Sequence, residues 1–210
     1  MNRTIAIFVH DPVCEVECAL AMEAAFQEHF TVKLFGIEDL TDHFLSTVDI
    51  LAFPGGIGDA DEYDAIFTDE HIDIVRDYVQ NGGKYLGICM GAYWAGANYF
   101  DLLWEVEPVQ YINRPGAEIT DEGPTTAEVL WGNEYEDMYF YDGCAFIGWT
   151  QDCDVVATYQ NGDAMAIYQG NLGLIGCHPE SEQWWYDLDE LNHWHGGWHN
   201  DLLCDFAINL

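Results

Sequence analysis

Positive charge is what this chain has least of. Its 210 residues include 5 Lys and Arg against 38 Asp and Glu, a formal net charge of −33. Such a field repels DNA, RNA and anionic membrane surfaces, and the scattered basic residues form no stripe along which a nucleic acid could lie. No nucleic-acid or membrane partner is therefore expected, whereas a cationic protein partner suits the field. Screening at high salt would relieve the self-repulsion. Long apolar runs are missing as well. The first, Ile5 to Val9, is shorter than a secretory core, and no stretch reaches the length that spans a bilayer. Paired cysteines are not in evidence either: seven, irregularly spaced, fit free thiols in a reducing compartment better than a disulfide framework. A cytoplasmic location is the expectation. No glycine turn is followed by the Lys-Ser/Thr pair of a phosphate-binding loop, so no nucleoside triphosphate site and no cofactor are expected.

What is present is apolar and aromatic. Half the residues are hydrophobic and 15% aromatic, enough to bury the core of a single domain over 1–210. Short apolar strands are predicted at Ile5 to Val9, Thr31 to Phe35, Asp49 to Phe53, Lys84 to Ile88 and Leu172 to Gly176. Helices are predicted over 14–28, from Thr68 or Asp69 to about Gln80, from the turn at Cys89 through Ala97, and over Asn200 to Ile208. Ile57 to Tyr63 reads as a loop. This alternation favours an α/β fold, a doubly wound and mostly parallel sheet with helices on both faces. Val106 to Ile112, Ala127 to Trp131, Glu136 to Phe140, and the hairpin Asp154 to Tyr159 with Ala164 to Tyr168 about Asn161-Gly162 are candidates for an antiparallel extension.

Three motifs fall at the carboxyl ends of predicted strands, where open sheets form their clefts. Gly87-Ile88-Cys89-Met90-Gly91 is a glycine-bounded strand-to-helix turn. Cys89 there would be a nucleophile, its thiolate favoured by the helix start and a nearby histidine. His178-Pro179-Glu180 offers a base in His178 and an orienting carboxylate in Glu180. Negative charge on an attacked carbonyl oxygen needs backbone donors, and the amides of Met90 and of the Gly55-Gly56 turn are the candidates. A buried core cysteine beside packing glycines, and a glutamate facing solvent, are the bland alternatives.

Taken together, Pro54-Gly55-Gly56, the cysteine turn and His178-Pro179-Glu180 resemble the class I glutamine amidotransferase-like superfamily. More narrowly, Phe53-Pro54-Gly55-Gly56 and the run from Gly82 to Tyr93 resemble the amidotransferase-like N-terminal domain of eukaryotic-type biotin–protein ligases. The resemblance implies a Cys89–His178–Glu180 triad in a doubly wound sheet. It also exposes a departure. Glutamine-hydrolysing members usually carry Gln four positions after the nucleophile, and Tyr93 stands there, which argues against ordinary glutamine amidotransfer.

Trp184-Trp185-Tyr186 and Trp194-His195-Gly196-Gly197-Trp198 form an aromatic, histidine-rich end. Trp184 and Trp185, with Tyr93, are candidates for a substrate pocket wall; core packing or a partner surface are the other uses of such rings. His193, His195 and His199, with Glu190 or Asp201, do not make a recognised closed metal site, so no metal is expected. Two functions fit this sequence. One is a cysteine-dependent hydrolase or amidase-like enzyme acting on a small amide, ester or related acyl substrate. The other is a non-catalytic binding or regulatory module of the same shape.

Overall fold

The computed structural model describes residues 2–11, 16–56, 60–192 and 194–210. Five strands form its parallel part: β1 (Thr4–Phe8), β2 (Thr31–Phe35), β3 (Ile50–Phe53), β4 (Lys84–Ile88) and β11 (Leu172–Ile175), in the order β2-β1-β3-β4-β11. The antiparallel extension is larger than the sequence suggested. It continues from β11 through β10 (Ala164–Gln169), β9 (Asp154–Tyr159), β6 (Thr125–Trp131) and β7 (Glu134–Phe140), while β5 (Val106–Gln110) pairs with β8 (Cys144–Gly148), which in turn joins β10. Strand β8 was not predicted. It is the short Cys-Ala-Phe-Ile-Gly run that follows the turn pair Asp142-Gly143.

Alternation along the strands sends neighbouring side chains to opposite faces. In β1, Ile5 and Ile7 face one core, with Met22 of α1 (Val16–Phe26) and Leu203 and Phe206 of α7 (Trp198–Asn209). Ala6 and Phe8 face the other, with Val75 and Val79 of α4 (Asp69–Gln80). Helices on both faces thus cover a sheet whose central strands are buried except at Lys84, the first residue of β4. Thr68 caps α4 by accepting from the His71 amide, as its sequence position predicts. No helix among the described residues is long and apolar enough to cross a membrane.

Several boundaries differ from expectation. The predicted loop to Tyr63 instead contains α3 (Ala60–Ile66), which carries buried Tyr63 to the aromatic cluster; 57–59 lie outside the described residues. The start of the predicted 14–28 helix falls outside them as well. The helix after Cys89, α5 (Met90–Tyr93), is a single turn, because the chain folds back so that the Phe100 amide donates to the Trp94 carbonyl at 2.9 Å. Short helices α2 (Asp42–Leu45) and α6 (Gln183–Leu188) were not predicted, being too brief to show a period.

The second core is built on aromatic rings. Phe53 contacts Phe8, Phe35, Phe67, Tyr85, Trp94 and Phe100 with centroids 5.1–6.4 Å apart. Its backbone also supports the cysteine turn, since Gly91 packs on the Phe53 carbonyl. Phe53→Ala should therefore destabilise the fold by about 3–5 kcal/mol, read as a lower denaturant midpoint with little change in slope.

Candidate active site

Cys89 occupies a backbone conformation that side chains rarely adopt, with φ 49° and ψ −107°. A residue held there stores about 1–3 kcal/mol of strain and needs its surroundings to impose it. Four hydrogen bonds do so. The Cys89 amide donates to Ile175 of β11 at 2.8 Å, the Gly91 amide to Pro54 at 3.1 Å, and the Ala92 and Tyr93 amides to the Cys89 carbonyl at 2.9 and 3.0 Å. The flanking glycines are steric necessities. A Cβ on Gly87 would sit 2.4 Å from the Gly91 carbonyl oxygen, and one on Gly91 would sit 2.0 Å from that of Phe53. Cys89 is 5% exposed, and its thiol reaches the Tyr141 carbonyl at 3.5 Å.

Parallel pairing of β4 with β11 places Ile88 opposite Ile175, so both strands end at the same edge. From there Gly176 passes so close to β8 that a Cβ would lie 2.0 Å from the Cys144 carbonyl oxygen. His178 follows, its amide donating to Tyr139 at 2.9 Å. Its Nδ1 is 2.9 Å from Glu180 Oε1, and Glu180 is fully buried. The edges of Tyr139 and Trp185 flank the imidazole, each centroid 5.9 Å away. Gly55 forms the floor: a Cβ there would meet His178 Cε1 at 2.4 Å. Burial works against charge on His178, yet the hydrogen-bonded Cys89 sulfur and the Glu180 carboxylate outweigh it and raise its pKa well above the ordinary value.

The structure thus brings Cys89, His178 and Glu180 together beside a cavity of about 200 Å³. Gly56, Trp184 and Trp185 line it, with the exposed Leu188 and Tyr141 also contributing. Gly55 lies beneath the imidazole, and Met90 is buried at the start of α5. Tyr93 is not brought to the cavity. Its hydroxyl donates to the Asp142 carbonyl at 3.1 Å, and burial raises its pKa far above the usual phenol range. The one-turn helix carries that ring across to the β7–β8 connection, beside Tyr141 of the lining.

Sequence reasoning missed Cys18. This residue of α1 lines the same cavity, and its Sγ, a His178 ring nitrogen and a Glu180 oxygen all lie within 4.8 Å of one another. Glu17 and Asp189 add carboxylates to the lining. Among the described residues the lining contains no Lys or Arg. Basic side chains are committed elsewhere, as in Arg114 to Asp163 at 2.7 Å and Arg76 to the Phe100 carbonyl at 2.7 Å.

The histidine-rich end packs behind the cavity wall, joined to Tyr139 through Tyr186; His193 lies outside the described residues. His195 and His199 stack at 3.9 Å, His199 Nε2 approaches Glu136 Oε2 at 3.2 Å, and the Trp198 indole donates to Glu136 Oε1 at 3.0 Å. His195 Nδ1 accepts from the amides of Gly197 and His199, which fixes a neutral tautomer at the start of α7. Here the rings cap a helix rather than line the cavity.

This sheet, with a strained cysteine turn and a buried histidine–glutamate pair at its carboxyl edge, is close to class I glutamine amidotransferase-like folds. The family model described as "Biotin-protein ligase, N terminal" matches residues 12–107, a likeness confined to the amino-terminal part of the chain. Among solved structures, PurLQS from Thermotoga maritima aligns with a TM-score of 0.63 at 16% identity, over 86% of this chain and 89% of that one. A glutamine amidotransferase from the same organism aligns with a TM-score of 0.61 at 14% identity, over 90% and 83%. A β-galactosidase from the psychrophilic Marinomonas ef1 aligns at 0.54 and 12% identity, over 84% of this chain and 26% of that one. Likeness at this level shows the fold and leaves the chemistry to the site. No curated protein matches in sequence.

Burial lowers the pKa of His199 from 6.5 to about 4, and burial, then the His199 charge, lowers that of His195 to about 4. Depressed histidine pKa values mean that the unfolded chain takes up protons first as pH falls. Their contribution to stability is complete above pH 6.5 and is lost between there and about pH 4. At fixed high salt, the urea midpoint of the native chain should fall more between pH 7 and pH 5 than that of a His195→Gln/His199→Gln variant. Carboxylate titration is common to both chains and cancels in the comparison.

Proposed function

We propose that this protein is a cysteine-dependent hydrolase or amidase-like enzyme for a small, uncharged or cationic acyl substrate, and that 1–210 acts as one domain. The observation that carries the reading is the buried Cys89–His178–Glu180 arrangement opening on one cavity. In this mechanism His178 holds the Cys89 proton, and the thiolate attacks the substrate carbonyl carbon. The amides of Met90 and Gly56 receive the developing negative oxygen. Collapse of the tetrahedral species breaks the bond to the amine or alcohol, which leaves with the proton from His178. A thioester on Cys89 remains. Water then gives its proton to His178 and attacks the thioester, and release of the acid returns the proton to the Cys89–His178 pair. Glu180 keeps the imidazole oriented through Nδ1.

The lining supports the substrate class. Among the described residues the lining carries Glu17 and Asp189 and no Lys or Arg, which disfavours a substrate carboxylate and so argues against glutamine. Trp184 and Trp185 supply flat apolar contact for the remainder of the substrate. None of the described cysteines is in a disulfide, which supports a reducing, cytoplasmic setting.

A second reading has a specific observation behind it. Trp184 is 45% and Leu188 72% exposed at the cavity mouth of a strongly acidic protein, a surface that suits a cationic protein partner. Incubation with a panel of amides, esters and chloroacetamides, followed by intact-mass analysis, separates the two. Adducts should form on the native chain and be absent from a folded Cys89→Ala variant. Glu180→Gln should slow turnover by about 10²–10⁴-fold. Turnover unchanged in Cys89→Ala would refute the enzyme reading; salt-sensitive capture of a basic protein, lost in Trp184→Ala, would favour the second.

A further inference from the structure

Cys18 has no part in the mechanism above, yet it stands at the same imidazole. Glu180 is fully buried, and its Oε2 has no hydrogen-bond partner among the described residues. A buried carboxylate oxygen left unpaired is costly and marks a position where a ligand belongs. One thiol, one imidazole and one carboxylate, with donor atoms within 4.8 Å of one another, form a mixed sulfur, nitrogen and oxygen set. That set suits zinc, which takes three protein ligands and leaves a fourth position open at sites facing a cavity. His178 Nδ1 and Glu180 Oε1 are 2.9 Å apart, and two ligands about 2.0–2.1 Å from a tetrahedral ion lie about 3.3 Å apart, so a small opening of this pair admits the ion. Cys18 is 5% exposed and lines the cavity, so an ion has a route in, past the carboxylates of Glu17 and Asp189.

We propose that Cys18, His178 and Glu180 form a zinc site that competes with the Cys89–His178 pair for the imidazole. Zinc binding displaces the Cys18 thiol proton and the proton between Nδ1 and Glu180; both leave to solvent. Nε2 then carries the remaining ring proton. In that form it donates to Cys89 but accepts nothing, so the proton shuttle stops. The inhibitory consequence rests on the hydrolase reading; the metal site does not.

The test measures metal first. Chelator-treated protein is dialysed against Zn²⁺ with excess Mg²⁺ in about 1 M KCl, where the Debye length is about 3 Å and diffuse binding to surface carboxylates is suppressed. Retained zinc is counted for the native chain and for folded Cys18→Ala, Cys18→Ser, Glu180→Gln and Cys89→Ala variants. The site predicts one zinc per native chain, an affinity lower by at least about tenfold in the Cys18 and Glu180 variants, and undiminished zinc in Cys89→Ala. No stoichiometric zinc on the native chain, full retention without Cys18, or loss on removing Cys89 would each overturn it. Because Cys89→Ala is inactive by the hydrolase reading but competent for zinc by this one, either idea can fail alone.

Discussion

Pairing between β4 and β11 is the constraint on which the rest depends. The two strands lie far apart in the chain, and their parallel register fixes Ile88 beside Ile175. Everything between them has to leave the sheet edge and return, and the antiparallel extension is what the chain builds on the way. That excursion is not idle. It supplies the Tyr139 carbonyl that anchors His178, the Tyr141 carbonyl at Cys89 Sγ and the Cys144 carbonyl against which Gly176 packs. A site of nucleophile and base therefore forms only when the most distant strand contacts of the domain have formed. Such non-local pairing makes for slow folding.

The scarcity of positive charge shapes the molecule as much as the excess of negative charge does. Arg3 donates to the carbonyls of Ala207 and Ile208, and Lys84 to that of Leu210, so two cations serve the carboxyl end of α7, where helix carbonyls lack partners. Arg76 ties α4 to the loop at Phe100, and Arg114 fastens the β9–β10 turn through Asp163. Each is used as a tether between segments remote in sequence. Among the described residues none of these cations reaches the cavity lining, which carries the carboxylates of Glu17 and Asp189 beside His178, Cys18, Cys89 and aromatic and apolar side chains.

Features governed by local stereochemistry were legible in the sequence. Gly87 and Gly91 flank Cys89 because neighbouring carbonyls leave no space for a Cβ, and a glycine-bounded cysteine after an apolar run announces that turn. Pro179 between His178 and Glu180 likewise announces a shaped strand exit. The parallel strands were legible because each is a short run dominated by apolar residues, β2 with Lys33 the least so. Helix α6 was not, being too short to show a period, and β8 went unread although it is no shorter than the parallel strands. Cys18 was illegible for another reason. One cysteine in an alanine-rich helix looks like any core residue, and its place beside His178 depends on how α1 packs over the sheet. Tyr93 shows the same limit: a spacing rule gave its sequence distance from Cys89 but not the direction of a ring leaving a one-turn helix.

Strand β7 closes one end of the sheet and carries Glu134, Glu136 and Asp137 along its length. An open strand border is a template on which a second chain can add itself, and like charges set along it oppose that addition. Here the guard is Coulombic rather than steric, with no proline or bulge in β7 to reinforce it. Ions that relieve repulsion within the molecule also thin the barrier between molecules. Solubility and conformational stability therefore respond to the surrounding electrolyte in opposite directions.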